Sequence, residues 1–220
     1  MTPLRLDPPW LTLDLADEMP VLSWAVNRPG LVRAHRILWR EVRNADLPED
    51  LDVIAWLDAE LAARDARDAV CFLTSCDIAR FTESRAEAEG TRARAVATVG
   101  LSNVESVGAR LPHAAQDLAQ GWGTINIAVE LDTGLTDGAR LEALSIAAQA
   151  RTAAILDAGI MLPTGRATGT GTDCIAIAAP KGRTGYAGLH TGAGEAVGRA
   201  VHAAVSRGVT LWQGRETTQP

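Results

Sequence analysis

A threonine- and glycine-rich segment, residues 167–174, holds the densest set of groups that could bind or activate a substrate. Its hydroxyls can donate hydrogen bonds, and its glycines let backbone N–H groups approach a bound oxygen closely. The segment lacks the lysine of a P-loop and precedes an apolar run that is typical of a strand. It therefore predicts a cradle for oxygen-rich groups, with a phosphate cradle and an inert turn as alternatives. The predicted contact residues are Thr168, Gly169, Thr170, Gly171 and Thr172, followed by Asp173.

A second polar segment, residues 186–195, brings an imidazole and a carboxylate to the start of the last predicted helix. His190 is one of four histidines, and it lies in a glycine-rich loop where no packing stripe requires it. Glu195 is less informative, because the helix dipole favours a carboxylate in a first turn whatever its role. The pattern predicts a catalytic or binding role for His190, with Tyr186 as a further contact.

Two asparagines lie in or directly after predicted strands. Asn103 follows Ser102 at the end of one strand, and Asn126 lies inside another that is otherwise apolar. A buried amide without a partner costs about 1–3 kcal/mol, so each asparagine either locks a turn or contacts a ligand. Trp122 is predicted to stack on a flat ligand. Three other tryptophans are interpreted as core residues: Trp24, Trp39 and Trp56.

The composition argues against several other chemistries. The net charge is -6 and no basic stripe is present, so we expect no nucleic-acid partner. The three cysteines Cys71, Cys76 and Cys174 have no C-x-x-C spacing, which favours free thiols over disulfides or a zinc site. Neither H-E-x-x-H nor G-x-S-x-G occurs. We expect no metal and no certain cofactor.

Hydropathy predicts the location of the protein. No run of about 20 apolar residues is present, and the first residues lack the charged leader and apolar region of a signal peptide. We therefore expect no membrane span and a cytoplasmic location.

The pattern of short apolar runs and amphipathic helices predicts the fold class. Strands and helices alternate loosely, which favours a single layered α/β domain with a sheet of about five strands, which could be mixed, flanked by helices. The prolines of residues 1–20 predict an N-terminal arm or edge strand. Residues 21–212 are predicted as one catalytic domain and 213–220 as a tail. The acidic residues 77–89 are predicted to be helical.

Five segments in this order resemble the adenosylcobinamide amidohydrolase family. They are residues 98–103, 123–127, the helix start at Asp137 and Gly138, and residues 167–173 and 186–191. The resemblance runs over residues 21–205, with Leu189 and Cys174 departing from the family pattern. It implies hydrolysis of the amide that links the corrin ring to aminopropanol, with release of adenosylcobyric acid. Pseudocobalamin is a further possible substrate.

The chemistry of amide hydrolysis then suggests roles for the polar residues. We predict His190 as general base and later acid, with Glu195 or Asp173 orienting it. Asn103, Asn126 and the backbone of the threonine- and glycine-rich segment would bind corrin amides or the oxyanion. A covalent nucleophile at Thr172 or Ser102 is the alternative mechanism. The corrinoid is the expected partner, and a homodimer is possible.

Two alternatives belong to other classes. A carrier or sensor would hold the corrinoid without cutting it, and would not need His190. An enzyme acting on a phosphorylated metabolite would use the threonine- and glycine-rich segment for its phosphate. A divalent ion held by Asp173, His190 and Glu195 is a further alternative.

Overall fold

The computed structural model describes residues 3–43, 46–48, 50–109, 111 and 123–216. An eight-stranded mixed sheet dominates the described chain, and its main path runs in the order β4-β3-β2-β12-β8-β6-β5, with β1 pairing on β2. Its strands are β1 (Leu4–Asp7), β2 (Trp10–Ser23), β3 (Gly30–Glu41), β4 (Val70–Thr74), β5 (Thr82–Ala88), β6 (Thr91–Val99), β8 (Ile125–Leu131) and β12 (Cys174–Ala178). The α/β class is confirmed, but the sheet is larger than the predicted five strands.

The N-terminal segment explains part of that difference. Residues 4–20, predicted as an arm or edge strand, form β1 and most of β2, and β2 lies inside the sheet between β3 and β12. Its prolines are accommodated at two special places. Pro8 and Pro9 form the turn between β1 and β2, and Pro20 follows an irregularity in the β2–β3 register between Asp14 and Met19. Prolines are tolerated in sheets at such turns and bulges.

The sheet curls on itself. β4 packs on β8 although β3, β2 and β12 lie between them in the sheet order. The concave side of the curl holds one core, in which the rings of Trp39 and Phe72 pack edge to face with centroids 5.2 Å apart. Alternate residues of β6, β8 and β12 supply its floor, including Val96, Ala128 and Ala176. The curl therefore encloses apolar side chains of one sheet without a second sheet.

Helices cover the outer faces of the sheet. α2 (Asp137–Asp157) and α3 (Gly192–Glu216) bury the opposite set of alternating residues of β6, β8 and β12. The small residues of α3, such as Ala200 and Ala204, let this helix lie close to the sheet. α1 (Val53–Ala63) packs against β3 and β4 through Leu57 and Leu61.

The acidic segment predicted as a helix is mostly a strand. Ile78–Arg80 is one 3-10 turn, and β5 follows, paired antiparallel with β6. The cross-strand pairing outweighs the weak helical preference of this sequence. The N-cap of α2 is Thr136, whose hydroxyl accepts a hydrogen bond from Ala139 N. Gly159 follows the end of α2 with φ of 69°, a left-handed conformation in which glycine commonly ends a helix.

Short strand pairs complete the structure. β9 (Met161–Leu162) pairs with β10 (Gly165–Arg166), and β7 (Val104–Glu105) pairs with β11 (Gly169–Thr170). The second pair fixes the threonine- and glycine-rich segment beside residues 103–105. Among the described residues, no helix is long and apolar enough to cross a membrane.

Candidate functional site

A cavity of about 480 Å³ opens at the N-terminal ends of β8 and β12, where the curled sheet brings β4 close to them. One part of its wall is polar and consists of Ser75, Thr124, Asn126, Thr172 and Asp173. Another part is apolar and consists of Trp24, Val26, Val42, Leu47, Phe72 and Leu73. Arg43 adds a cationic side chain. The cavity therefore suits a ligand with both apolar surface and hydrogen-bonding groups.

Backbone hydrogen bonds join three polar segments beside this cavity. Gly100 N donates to Thr124 O at 3.0 Å, and Gly171 N donates to Asn103 O at 3.1 Å. The Thr124 hydroxyl donates to Thr172 O at 2.9 Å. Residues 100–103, 123–127 and 169–174 thus form one connected unit.

A glycine allows the close approach of two of these segments. A Cβ at Gly123 would lie 2.5 Å from Ser102 N and 2.6 Å from Ser102 Oγ, so only glycine fits there. Ser102 itself is exposed and lies beside the cavity, not in its lining.

Asp173 is the centre of the connected unit. Its side chain is 7% exposed, and its carboxylate accepts from Ile125 N at 3.1 Å and Thr170 N at 3.0 Å. The Thr170 hydroxyl also donates to it. These bonds tie the start of β8 to the turn before β12. In this arrangement Asp173 positions the backbone of the cavity wall, whereas the sequence pattern predicts that Asp173 or Glu195 orients His190.

Arg151 supplies the counter-charge for Asp173. It extends from α2, is 17% exposed, and pairs through Nη1 with Asp173 Oδ2. A Cβ at Gly169 would collide with this guanidinium and lie 2.6 Å from Asp173 Oδ2. Burial lowers the pKa of Arg151, although arginine stays charged at neutral pH. Sequence reasoning missed Arg151, since it falls within an ordinary helical pattern.

Asn126 crosses the cavity floor from β8 to β4. Its amide nitrogen donates to Leu73 O at 2.8 Å, and the residue is 1% exposed. Thr98 and Cys174 are its direct neighbours on β6 and β12. Asn126 therefore joins β8 to β4 and also lines the cavity, and its contact with a ligand stays a prediction.

Cys174 is a protonated thiol at neutral pH. Its sulfur lies 3.7 Å from Ser23 Oγ and accepts hydrogen bonds from the backbone of Trp24 and Ile175. Burial outweighs these hydrogen bonds and raises the pKa of Cys174 to about 11. Burial also raises the pKa of Cys71, another lining residue. Because the thiolate is the nucleophile, neither side chain is activated for attack.

Trp24 lies at the mouth of the cavity, contrary to its predicted place in the core. It is 45% exposed, and its indole Nε1 donates to Asp173 O at 2.7 Å. Trp39, in contrast, is fully buried as predicted. The predicted stacking residue Trp122 lies outside the described residues.

The segment of residues 186–195 lies at the opposite end of the sheet. Gly192 packs against Ala88 and Glu89 at the β5–β6 turn, which is beside the C-terminal end of β8. The cavity is at the N-terminal end of this seven-residue strand, about 20 Å away. His190 and Asp173 are therefore not brought together.

Local hydrogen bonds explain much of that segment. The Thr191 hydroxyl accepts from Gly194 N at 3.0 Å and donates to Gly188 O at 2.8 Å, which caps the start of α3. Glu142 of α2 accepts from Ala187 N at 2.6 Å. Glu195 pairs with Arg199 on the exposed face of α3.

Several predicted contacts have other partners or open surroundings. Tyr186 is 73% exposed, and His190 is also exposed. The Thr168 hydroxyl accepts from Val107 N at 2.8 Å and so holds the loop after β7. Within the described chain, no group of three His, Cys, Asp or Glu side chains could hold a metal ion. The divalent ion site of Asp173, His190 and Glu195 is not assembled.

The predicted site residues thus fall into two groups at opposite ends of the sheet. Four predicted residues line the cavity, namely Asn126, Gly171, Thr172 and Asp173, and Asn103 contacts Gly171 beside it. His190, Glu195 and Tyr186 belong to the other end of the sheet.

The family model described as adenosylcobinamide amidohydrolase matches residues 4–217, nearly the whole chain. A comparison with curated proteins gives no match. Among solved structures, the chain is similar to the PH0078 protein from Pyrococcus horikoshii OT3, with 12% identity and a TM-score of 0.43. That alignment covers 88% of this chain and 73% of that one.

Proposed function

Because the chain belongs to the adenosylcobinamide amidohydrolase family and is an amidohydrolase, we propose that it cuts the amide between the corrin ring and aminopropanol. The products are adenosylcobyric acid and free aminopropanol. In this reaction the oxygen of water bonds to the amide carbon, the C–N bond breaks, and the leaving nitrogen takes up a proton. We assign the corrinoid as substrate and no cofactor. Pseudocobalamin is a second substrate to test.

One observation supports the cavity as the place of this reaction. Three of the five segments that resemble the family, residues 98–103, 123–127 and 167–173, are joined there by backbone hydrogen bonds. Segments that lie far apart in the chain meet at one cavity of mixed polar and apolar lining. A corrinoid has the same mixed character, since its ring is apolar and its edge carries amides.

The lining offers hydrogen-bond donors for the scissile amide. Thr172 is exposed at the polar wall, and Arg43 is an exposed lining residue with a charge that can bind a carbonyl oxygen. We propose that these two side chains bind the amide oxygen, which becomes negative in the tetrahedral intermediate. Donors aimed at that oxygen are the largest electrostatic term in amide hydrolysis. Of the two predicted nucleophiles, Thr172 lines the cavity and Ser102 does not.

The role of His190 as general base is the untested alternative, and it would place the chemistry at the other end of the sheet. One variant at each location distinguishes them: Thr172→Ala in the cavity and His190→Ala in the loop before α3. Thr172→Ala should lower kcat/KM for adenosylcobinamide by about 10²- to 10³-fold if the hydroxyl binds the oxyanion. Thr172→Ser keeps the hydroxyl and is the matched control, with activity near that of the wild type.

His190→Ala should leave turnover within a few-fold of the wild type. A loss of about 10²- to 10⁴-fold in this variant, with Thr172→Ala unaffected, would move the chemistry to the loop before α3. Products are followed by liquid chromatography and mass spectrometry, with and without a chelator. A protein that binds adenosylcobinamide but leaves it intact would favour the carrier alternative.

A further inference from the structure

Building on the proposed function, we infer that Trp24 is a stacking platform for a planar conjugated ring of the substrate, at the mouth of the cavity. The ring is either the corrin macrocycle or the adenine of the adenosyl group, and the experiment below separates the two. Trp24 therefore determines affinity while the polar wall holds the amide.

The exposure of Trp24 is the first argument. It is 45% exposed and lies beside Val26, which is 46% exposed, and both line the cavity. Large apolar side chains that are exposed together at a cavity mark a binding surface. In the described part of the chain, the aromatic pair and the cation–π contacts are formed by other residues, namely Trp10, Trp39, Trp56 and Phe72, so these contacts do not occupy the ring of Trp24.

The rigidity of Trp24 is the second argument. Its indole N–H donates to the carbonyl oxygen of Asp173 at 2.7 Å, so the orientation of the ring is fixed. Asp173 is itself held by Ile125 N, Thr170 and the partly buried Arg151. A ring fixed in this way loses little side-chain entropy when a ligand stacks on it.

The position of Trp24 is the third argument. It shares the cavity with Thr172, which the proposed function assigns to the amide. A substrate whose amide arm enters the polar wall therefore brings its ring system toward the mouth. Stacking on an aromatic side chain tolerates any planar conjugated ring, because the contact needs only a π-face.

The test compares Trp24→Leu with the wild type on two substrates, adenosylcobinamide and cobinamide without the adenosyl group. Equilibrium dialysis gives Kd, and product formation gives KM and kcat. We expect Kd for adenosylcobinamide to rise about 5- to 150-fold, which corresponds to the loss of one stacking contact. The kcat should stay within a few-fold of the wild type, because stacking is equally strong in the bound substrate and in the transition state. An equal rise for cobinamide identifies the corrin as the stacked ring, and a rise for adenosylcobinamide alone identifies adenine.

Two controls keep the test specific. Leu31→Ala removes an equally exposed apolar side chain outside the cavity, and its Kd should match that of the wild type. Trp24→Phe keeps an aromatic ring but loses the bond to Asp173 O, so its Kd should fall between those of the wild type and Trp24→Leu. Unchanged Kd for both substrates in Trp24→Leu would overturn the inference. If the wild type binds but does not cut adenosylcobinamide, the proposed function fails instead.

Discussion

Replacing Arg151 by methionine should destabilise the protein strongly, because it removes the counter-charge of a buried carboxylate. Asp173 is 7% exposed and would keep its bonds from Ile125 N and Thr170 without a cation. Breaking a buried ion pair on one side costs about 3–5 kcal/mol. The remaining hydrogen bonds favour the lower end, so we expect a loss of about 3 kcal/mol in the free energy of unfolding.

Urea unfolding followed by circular dichroism measures this loss. Asp173→Asn should cost a similar amount, since it leaves the partly buried guanidinium of Arg151 without its counter-charge. The double variant should lose clearly less than the sum of the two single losses, because the same interaction is removed in each. Arg199→Met is the matched control: its pair with Glu195 is exposed, and we expect at most about 1 kcal/mol. A cost below about 1 kcal/mol for Arg151→Met, or strict additivity in the double variant, would refute the buried-pair argument.

Further predictions concern a thiol, a glycine and a buried glutamate. Cys174→Ala should keep activity within a few-fold, because the pKa of about 11 keeps this thiol protonated; a 100-fold loss of turnover would contradict this. Gly169→Ala should lower the free energy of unfolding by about 1–3 kcal/mol, since its Cβ meets Arg151, and an unchanged urea midpoint would be inconsistent with that contact. Burial raises the pKa of Glu130 above its ordinary value, despite Arg94 beside it. The stability of the wild type relative to Glu130→Gln should therefore fall as pH rises above about 4.3 toward 7 in urea titrations. A rise over that range would show that Arg94 dominates.

The sequence predicted the fold class because the buried runs of β6, β8 and β12 carry clear patterns of apolar residues. It underestimated the sheet where local signals conflict with tertiary pairing. Prolines obscured β2, whose bulge and turn absorb them, and acidic residues made β5 resemble a helix. Pairing across strands decides such segments, and a single sequence does not contain that information directly.

The candidate site was predictable where chemistry and local sequence coincide. Gly171, Thr172 and Asp173 of the threonine- and glycine-rich segment line the cavity, and so does Asn126. Arg151 and Trp24 were missed because the importance of each depends on a contact with Asp173. Trp24 is distant from Asp173 in the chain, and Arg151 reaches Asp173 from α2, on the outer face of the sheet. The hypothesis of one site containing both Asp173 and His190 requires the loops before and after β12 to lie close together. They lie at opposite ends of that strand.

The register irregularity between Asp14 and Met19 affects more than the pairing of β2 with β3. Bulges bend a strand and increase its twist, and this one lies in the part of the sheet that carries β4 toward β8. The curvature of β2 at this bulge therefore contributes to the shape of the cavity, although no residue between Asp14 and Met19 lines it. We expect insertions or deletions at that bulge to widen or narrow the entrance of the cavity without changing any lining residue.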